Sequence, residues 1–208
     1  MRAACVLIVL LYFFGQVHAQ EFHVVFLNKK EDKAPLPEAE VNKLMEGHLA
    51  NINRLADEGK LWAAGPFDGG GGIFIFKSSS LADVQAWLAT DPAVAAQRWN
   101  LEVFPYIPQS GSVCQVTEPY EMTNYFFVRY TEAKAKSGLA IQHQQHLAKK
   151  RESVVTEASL GENNGSILVL KEEPTMDWLS QDPAVKGGHL LPNLKKLYIA
   201  RGSFCESK

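Results

Sequence analysis

Trp87-Leu88-Ala89-Thr90-Asp91-Pro92-Ala93-Val94 returns later in the chain as Trp178-Leu179-Ser180-Gln181-Asp182-Pro183-Ala184-Val185, with six of the eight residues identical. Working outward, His48-Leu49-Ala50 pairs with His146-Leu147-Ala148, and the aromatic and β-branched run Phe22 to Leu27 pairs with Tyr125 to Tyr130. Such runs suit strands. Each half therefore reads as strand, helix, hairpin, helix, strand, and the chain as an internal duplication.

In the first half, the strand Phe22 to Leu27 precedes a helix over Glu38 to Glu58. Val41, Leu44, Met45, His48, Ile52 and Leu55 recur there at helical spacing, and Gly59 stops it. Leu61 to Ala64 runs into Gly65-Pro66, and the glycines Gly69 to Gly72 lead into the strand Ile73 to Phe76. Ser80 caps a second helix over Leu81 to Ala89, and the last strand, Leu101 to Phe104, is ended by Pro105. The second half predicts a helix over Gln142 to Glu157, a strand over Ser166 to Leu170, a short helix over Met176 to Ser180 and a strand over Leu194 to Ile199. It is shorter between its histidine and its Asp-Pro step, and the shortening is placed where the first half has Gly65-Pro66 and its loop.

Helices covering one face of an antiparallel sheet give an α+β layer architecture. The fold class expected is α+β, two tandem ferredoxin-like (βαββαβ) repeats that form an intrachain dimeric α/β-barrel-like pseudo-dimer. A four-stranded sheet leaves its other face bare, and the twin repeat can cover it. The predicted organisation is a signal peptide at 1–19, a first repeat at 20–108, a linker at 109–123, a divergent second repeat at 124–202 and a C-terminal tail at 203–208.

The leader reading rests on Arg2, the apolar run Ala3 to Phe14 and the small-residue site Val17-His18-Ala19, with cleavage after Ala19. The run is short of the roughly 20 residues that span a bilayer, so no stable membrane insertion is expected after cleavage and the mature chain is secreted or periplasmic. Export leaves Cys114 and Cys205, either as a disulfide between linker and tail or as two free thiols. The net charge of -2 offers no basic patch, which argues against a nucleic-acid partner. Asn164-Gly165-Ser166 has the form of a glycosylation acceptor.

His48, the segment Gly59-Lys60-Leu61-Trp62-Ala63-Ala64-Gly65-Pro66 and Trp87 through Asp91-Pro92 resemble the YCII-related domain, part of the dimeric α/β-barrel group that includes muconolactone isomerases. The likeness covers Phe22 to Ile107 and is weaker in the second repeat. It implies a ferredoxin-like fold with a cleft in which a histidine and an aspartate form a polar pair. Higher oligomers are compatible with it.

His48 and Asp91 are thus the candidate catalytic pair, since an imidazole beside a carboxylate can pass protons near neutral pH. The competing reading makes His48 a core histidine and Asp91 a helix cap. Gly65, Pro66 and Trp87 are the candidate substrate-binding residues, against a plain hairpin loop and a core anchor. His146 and Asp182 are the expected equivalents in the second repeat. His143 and His146 stand three apart on one helix, but no third ligand accompanies them, so no metal site is expected. No phosphate loop or nucleophile elbow occurs. Two functions follow: cofactor-free acid/base chemistry of a lyase or isomerase kind on a small molecule, by His48 and Asp91 in the cleft of the first repeat, or a noncatalytic small-molecule-binding or structural module.

Overall fold

The computed structural model describes residues 21–133 and 138–206, so the leader reading lies outside the described residues. The first repeat contributes β1 (Phe22–Lys29), α1 (Glu38–Asp57), β2 (Leu61–Pro66), β3 (Gly72–Lys77), α2 (Leu81–Leu88), α3 (Pro92–Ala95) and β4 (Trp99–Ser110). A short β5 (Ser112–Val113) precedes the second repeat. That repeat consists of β6 (Met122–Glu132), α4 (Ala140–Leu147), β7 (Val154–Ser159), β8 (Ser166–Leu170), α5 (Met176–Ser180), α6 (Pro183–Lys186) and β9 (Leu190–Ala200), and β10 (Phe204–Cys205) follows it.

The strands obey a period of two, which sorts side chains onto two faces. Phe22, Val24 and Phe26 of β1 join one apolar cluster, while Val25 and Leu27 join another with Leu55, Val84 and Leu88 of the helices. β3 divides in the same way, with Ile73 and Ile75 on one side and Phe74 and Phe76 on the other. β8 repeats the pattern with Ile167 and Val169 against Leu168 and Leu170. The shared cluster draws on both repeats, and the two helix-side clusters each belong to one. The duplicated sheets thus turn their bare faces toward each other, as expected from the doubled sequence.

The sheets also join at their edges. One antiparallel sheet of eight strands runs in the order β2-β3-β1-β4-β7-β8-β6-β9. One seam is the β4–β7 ladder, beginning at Ile107 opposite Ser159. The other lies where the ends of the order meet: Phe67 bridges Leu197, and the Asp68 N–H donates to the Lys196 carbonyl at 3.0 Å. The result is a closed barrel, which leaves no long sheet edge exposed. Gly65 is explained by this second seam, because a Cβ there would lie 2.4 Å from the Tyr198 carbonyl oxygen. At the first seam the Thr156 hydroxyl donates to the Ser110 carbonyl and accepts from the buried Tyr106 hydroxyl, both at 2.9 Å.

Three local expectations need correction. β4 does not end at Pro105 but continues through Pro108 to Ser110. Pro105 faces β1 alone, because the β7 ladder starts at Ile107, and a proline is tolerated where one side of a strand is unpaired. The helix expected over Gln142 to Glu157 stops at Leu147, turns once through Ala148–Lys150, and gives way to β7. Val154-Val155-Thr156 is β-branched, and that preference prevails once the sheet supplies a partner. The shortening of the second repeat is not in the Gly-Pro loop either. β2 and β7 have six residues each with the same irregularity after the first, and Ala158-Ser159 occupy the places of Gly65-Pro66. The lost residues are helical, α4 having 8 residues where α1 has 20 and α5 having 5 where α2 has 8.

Beyond the barrel, β5 pairs with β10 and the Cys114–Cys205 disulfide fastens them, with Cα atoms 5.8 Å apart. Segments read from sequence as linker and tail thus form a two-stranded clasp. Among the described residues no helix is long and apolar enough to cross a membrane.

Candidate functional site

α1 brings His48 onto the helix face that packs on the sheet, where the residue is 8% exposed. Its Nδ1 lies 2.6 Å from Asp91 Oδ2. Asp91 is the N-cap of α3, its other oxygen accepting from the Ala93 and Val94 N–H groups at 2.9 and 3.2 Å. Burial works to raise the Asp91 carboxyl, but the His48 hydrogen bond and charge, with the two backbone N–H groups, hold it below the usual carboxylate range. The carboxylate is therefore ionised at neutral pH, and Nδ1–H of His48 is the donor. The imidazole stacks near Phe74 (5.7 Å between centroids) and Trp99 (4.7 Å). Capping and pairing, compatible roles for Asp91 on the sequence reading, are performed by its two oxygens at once.

The second repeat rebuilds this arrangement, but with a different histidine. His143 Nδ1 lies 2.5 Å from Asp182 Oδ2, and Asp182 Oδ1 accepts from the Ala184 N–H at 2.9 Å. Burial again raises and the paired histidine again lowers the Asp182 carboxyl, and lowering wins. His146, expected here from the His-Leu-Ala match, instead stacks on Trp178 at 4.5 Å, with its Nε2 buried and unpartnered. The tripeptide match is thus one helical turn out of step with the geometry. Burial holds the His146 imidazole below its ordinary pKa. The two histidines go to separate partners, and among the described residues no group of three or more His, Cys, Asp or Glu is placed to hold a metal.

The two histidines are equally buried, each 8% exposed, but their surroundings differ. Counting along the β1–β4 and β6–β9 ladders from Lys29 opposite Trp99 and Glu132 opposite Leu190 sets Leu190 in the place of Trp99. Where Trp99 covers His48, His143 lines a cavity of about 340 Å³ together with Gln144, Glu157, His189 and Leu190. Gln144 Nε2 donates to the buried Glu157 carboxylate at 2.6 Å, and His189 Nδ1 is buried with no partner. The hollow at the corresponding place in the first repeat, about 220 Å³, is lined by Met45, Ala93, Arg98, Trp99 and the glycine loop, and neither His48 nor Asp91 reaches it. Beside the second pair, the Tyr130 ring meets His143 edge-on at 5.1 Å. Burial, with the charges of Asp182 and Glu157, pushes the Tyr130 phenol up, so it stays protonated.

The residues expected to bind substrate sit elsewhere. Gly65 and Pro66 belong to the β2–β9 seam and its hairpin. Trp87 packs on Phe76 at 5.7 Å with the Lys60 ammonium 5.4 Å from its ring, in the helix-side cluster. Glu157, His189 and Gln144 were hidden from the sequence reading. Helical spacing alone puts Glu157 at the end of a helix, and the signal that reveals it is a lone acidic residue inside the strand-forming run Val154 to Ser159.

A barrel closed by two βαββαβ repeats, each carrying a His–Asp pair under its helices, defines the dimeric α/β-barrel class with both halves in one chain. The comparison with solved structures agrees in fold: a chlorite dismutase variant from Candidatus Nitrospira defluvii, in complex with cyanide, aligns at a TM-score of 0.52 and 13% identity, covering 86% of this chain and 91% of that one. An anthrone oxidase-like protein aligns at 0.48 and 10% identity, covering 88% and 92%. Residues 22–107, within the first repeat, match the family model of the YCII-related domain. No curated protein matches the chain significantly.

Proposed function

We propose that this protein carries out cofactor-free proton transfer on a small molecule, and that the working site is the His143–Asp182 pair of the second repeat. The observation that carries the reading is what each equally buried histidine borders: His143 lines a cavity with a second titratable group, Glu157, whereas His48 packs against Trp99 and Phe74. With Nδ1–H of His143 held by the Asp182 carboxylate, Nε2 is left as the base, and no described group bonds to it. Glu157 faces the same space and supplies a second group for donating or accepting a proton. The orphaned His189 Nδ1 fits a group that a bound molecule satisfies. The reaction class is an isomerisation or elimination that begins by removing a proton next to a carbonyl.

The disulfide fits an oxidising compartment, so the reading includes export. In the first repeat the observations favour the other function: His48 and Asp91 fasten α1 to the cap of α3, a structural role.

The test is solvent deuterium wash-in, followed by proton NMR, across a panel of small ketones and lactones with the mature protein in heavy water. His143→Gln is expected to lose wash-in by about two orders of magnitude or more, the usual contribution of a positioned base, while His48→Gln retains it. Loss only in His48→Gln would move the site to the first repeat, and no wash-in with any compound would leave the binding-module reading standing.

A further inference from the structure

A cavity of about 220 Å³ opens at the end of the barrel where β1 and β6 finish, remote in role from either His–Asp pair. The same register that equates the repeats sets Arg129 in the place of Phe26, Thr131 in that of Asn28, Asn193 in that of Glu102 and Lys195 in that of Phe104. The second repeat has thus put two cations on the barrel's inner face where the first has two phenylalanines. Cations next to an apolar core need compensation.

Arg129 has it. Its guanidinium meets Glu102 of the other repeat in a two-pronged pair at 2.8 and 3.0 Å, lies 4.2 Å above the Phe26 ring and 5.1 Å from Phe104, and leaves only a buried Nε without a partner. Glu102 is fully committed, since Asn28 also donates to it at 2.7 Å. Lys195 has no such anion: its ammonium sits 4.9 Å over the Phe67 ring and makes no ion pair with any described residue. The mouth therefore holds one positive charge in excess, with the Asn193 and Thr131 side chains beside it and Phe26, Phe67 and Phe127 as an apolar floor.

We infer that this barrel mouth binds a small organic carboxylate, its anionic group against Lys195, Asn193 and Thr131 and its apolar part on Phe67 and Phe127. The cavity admits a single-ring acid, and the aromatic floor selects against a bare inorganic anion. The site lies across both repeats, so it exists only when the barrel is closed.

The experiment is titration of the intact protein with benzoate, followed by backbone amide NMR, with inorganic phosphate as the second arm. Benzoate is expected to give saturable shifts at Phe67, Thr131 and Asn193. Lys195→Met is expected to weaken binding about tenfold or more, the usual loss of a charge-assisted partner, and Lys195→Arg to preserve it. Thr131→Val, which leaves every charge in place, should weaken it less, and His143→Gln should not change it. Absence of saturation at tens of millimolar, equal binding by Lys195→Met, or phosphate binding as tightly as benzoate would each overturn the assignment.

Discussion

At the scale of single residues, the two oxygens of one aspartate explain most of the site. Asp91 caps α3 with one and holds His48 with the other, so Asp91→Ala removes a cap and leaves a buried imidazole unpaired. A cap contributes about 1 kcal/mol and an orphaned buried donor about 1–3 kcal/mol, so urea unfolding should show a loss of about 2–4 kcal/mol. Asp182→Ala should cost less, because His143 borders a cavity that water can enter. Protonation gives a second check. His146 is held below the ordinary histidine value of 6.5, mainly by burial, so the unfolded chain takes up the proton more readily. Stability is then full above 6.5 and falls as the pH drops below it, and His146→Phe should flatten that decline in thermal melts between pH 7.5 and 5.5. The Asp-Pro steps were legible in the sequence because identical residues recur around them. His143 was not, because a three-residue match fixed the helix register one turn away, and helix register is settled by packing on the sheet, which a tripeptide does not report.

Among the elements, strand identity and order followed from period-two patterning, whereas strand ends did not. Pro105 and the run Val154 to Glu157 were misread because what a residue does in a sheet depends on which of its two sides is paired, and pairing with the other repeat is invisible along the chain. Gly65 shows the same dependence. Its place in β7 is filled by Ala158, which the β4–β7 seam accommodates, but at the β2–β9 seam a Cβ meets the Tyr198 carbonyl. Gly65→Ala is therefore expected to destabilise by about 1–3 kcal/mol, the range for overpacking a tight contact, while Ala158→Gly costs about 1 kcal/mol or less. Comparable urea midpoints for the two variants would mean that the two seams are alike.

Across the whole molecule, duplication has turned a sheet that needs a partner into a barrel that contains both. The disulfide closes a loop of 91 residues that encloses the entire second repeat, so it acts on the unfolded chain as well as on the β5–β10 clasp. Replacing both Cys114 and Cys205 with serine should lower stability by about 2–4 kcal/mol without altering the barrel. The same duplication leaves the two copies with different surroundings: one His–Asp pair packs against Phe74 and Trp99, its twin borders a cavity, and the barrel mouth joins residues from both repeats. All of this requires the sheet to be closed. The most direct measurement is amide hydrogen exchange by NMR at Asp68, whose N–H donates to Lys196 across the second seam. A closed barrel predicts that this amide exchanges only through global unfolding, at the rate of the core amides of β1 and β8. Exchange at the rate of an exposed loop amide, with β1 and β8 still protected, would show two open sheets and contradict the account.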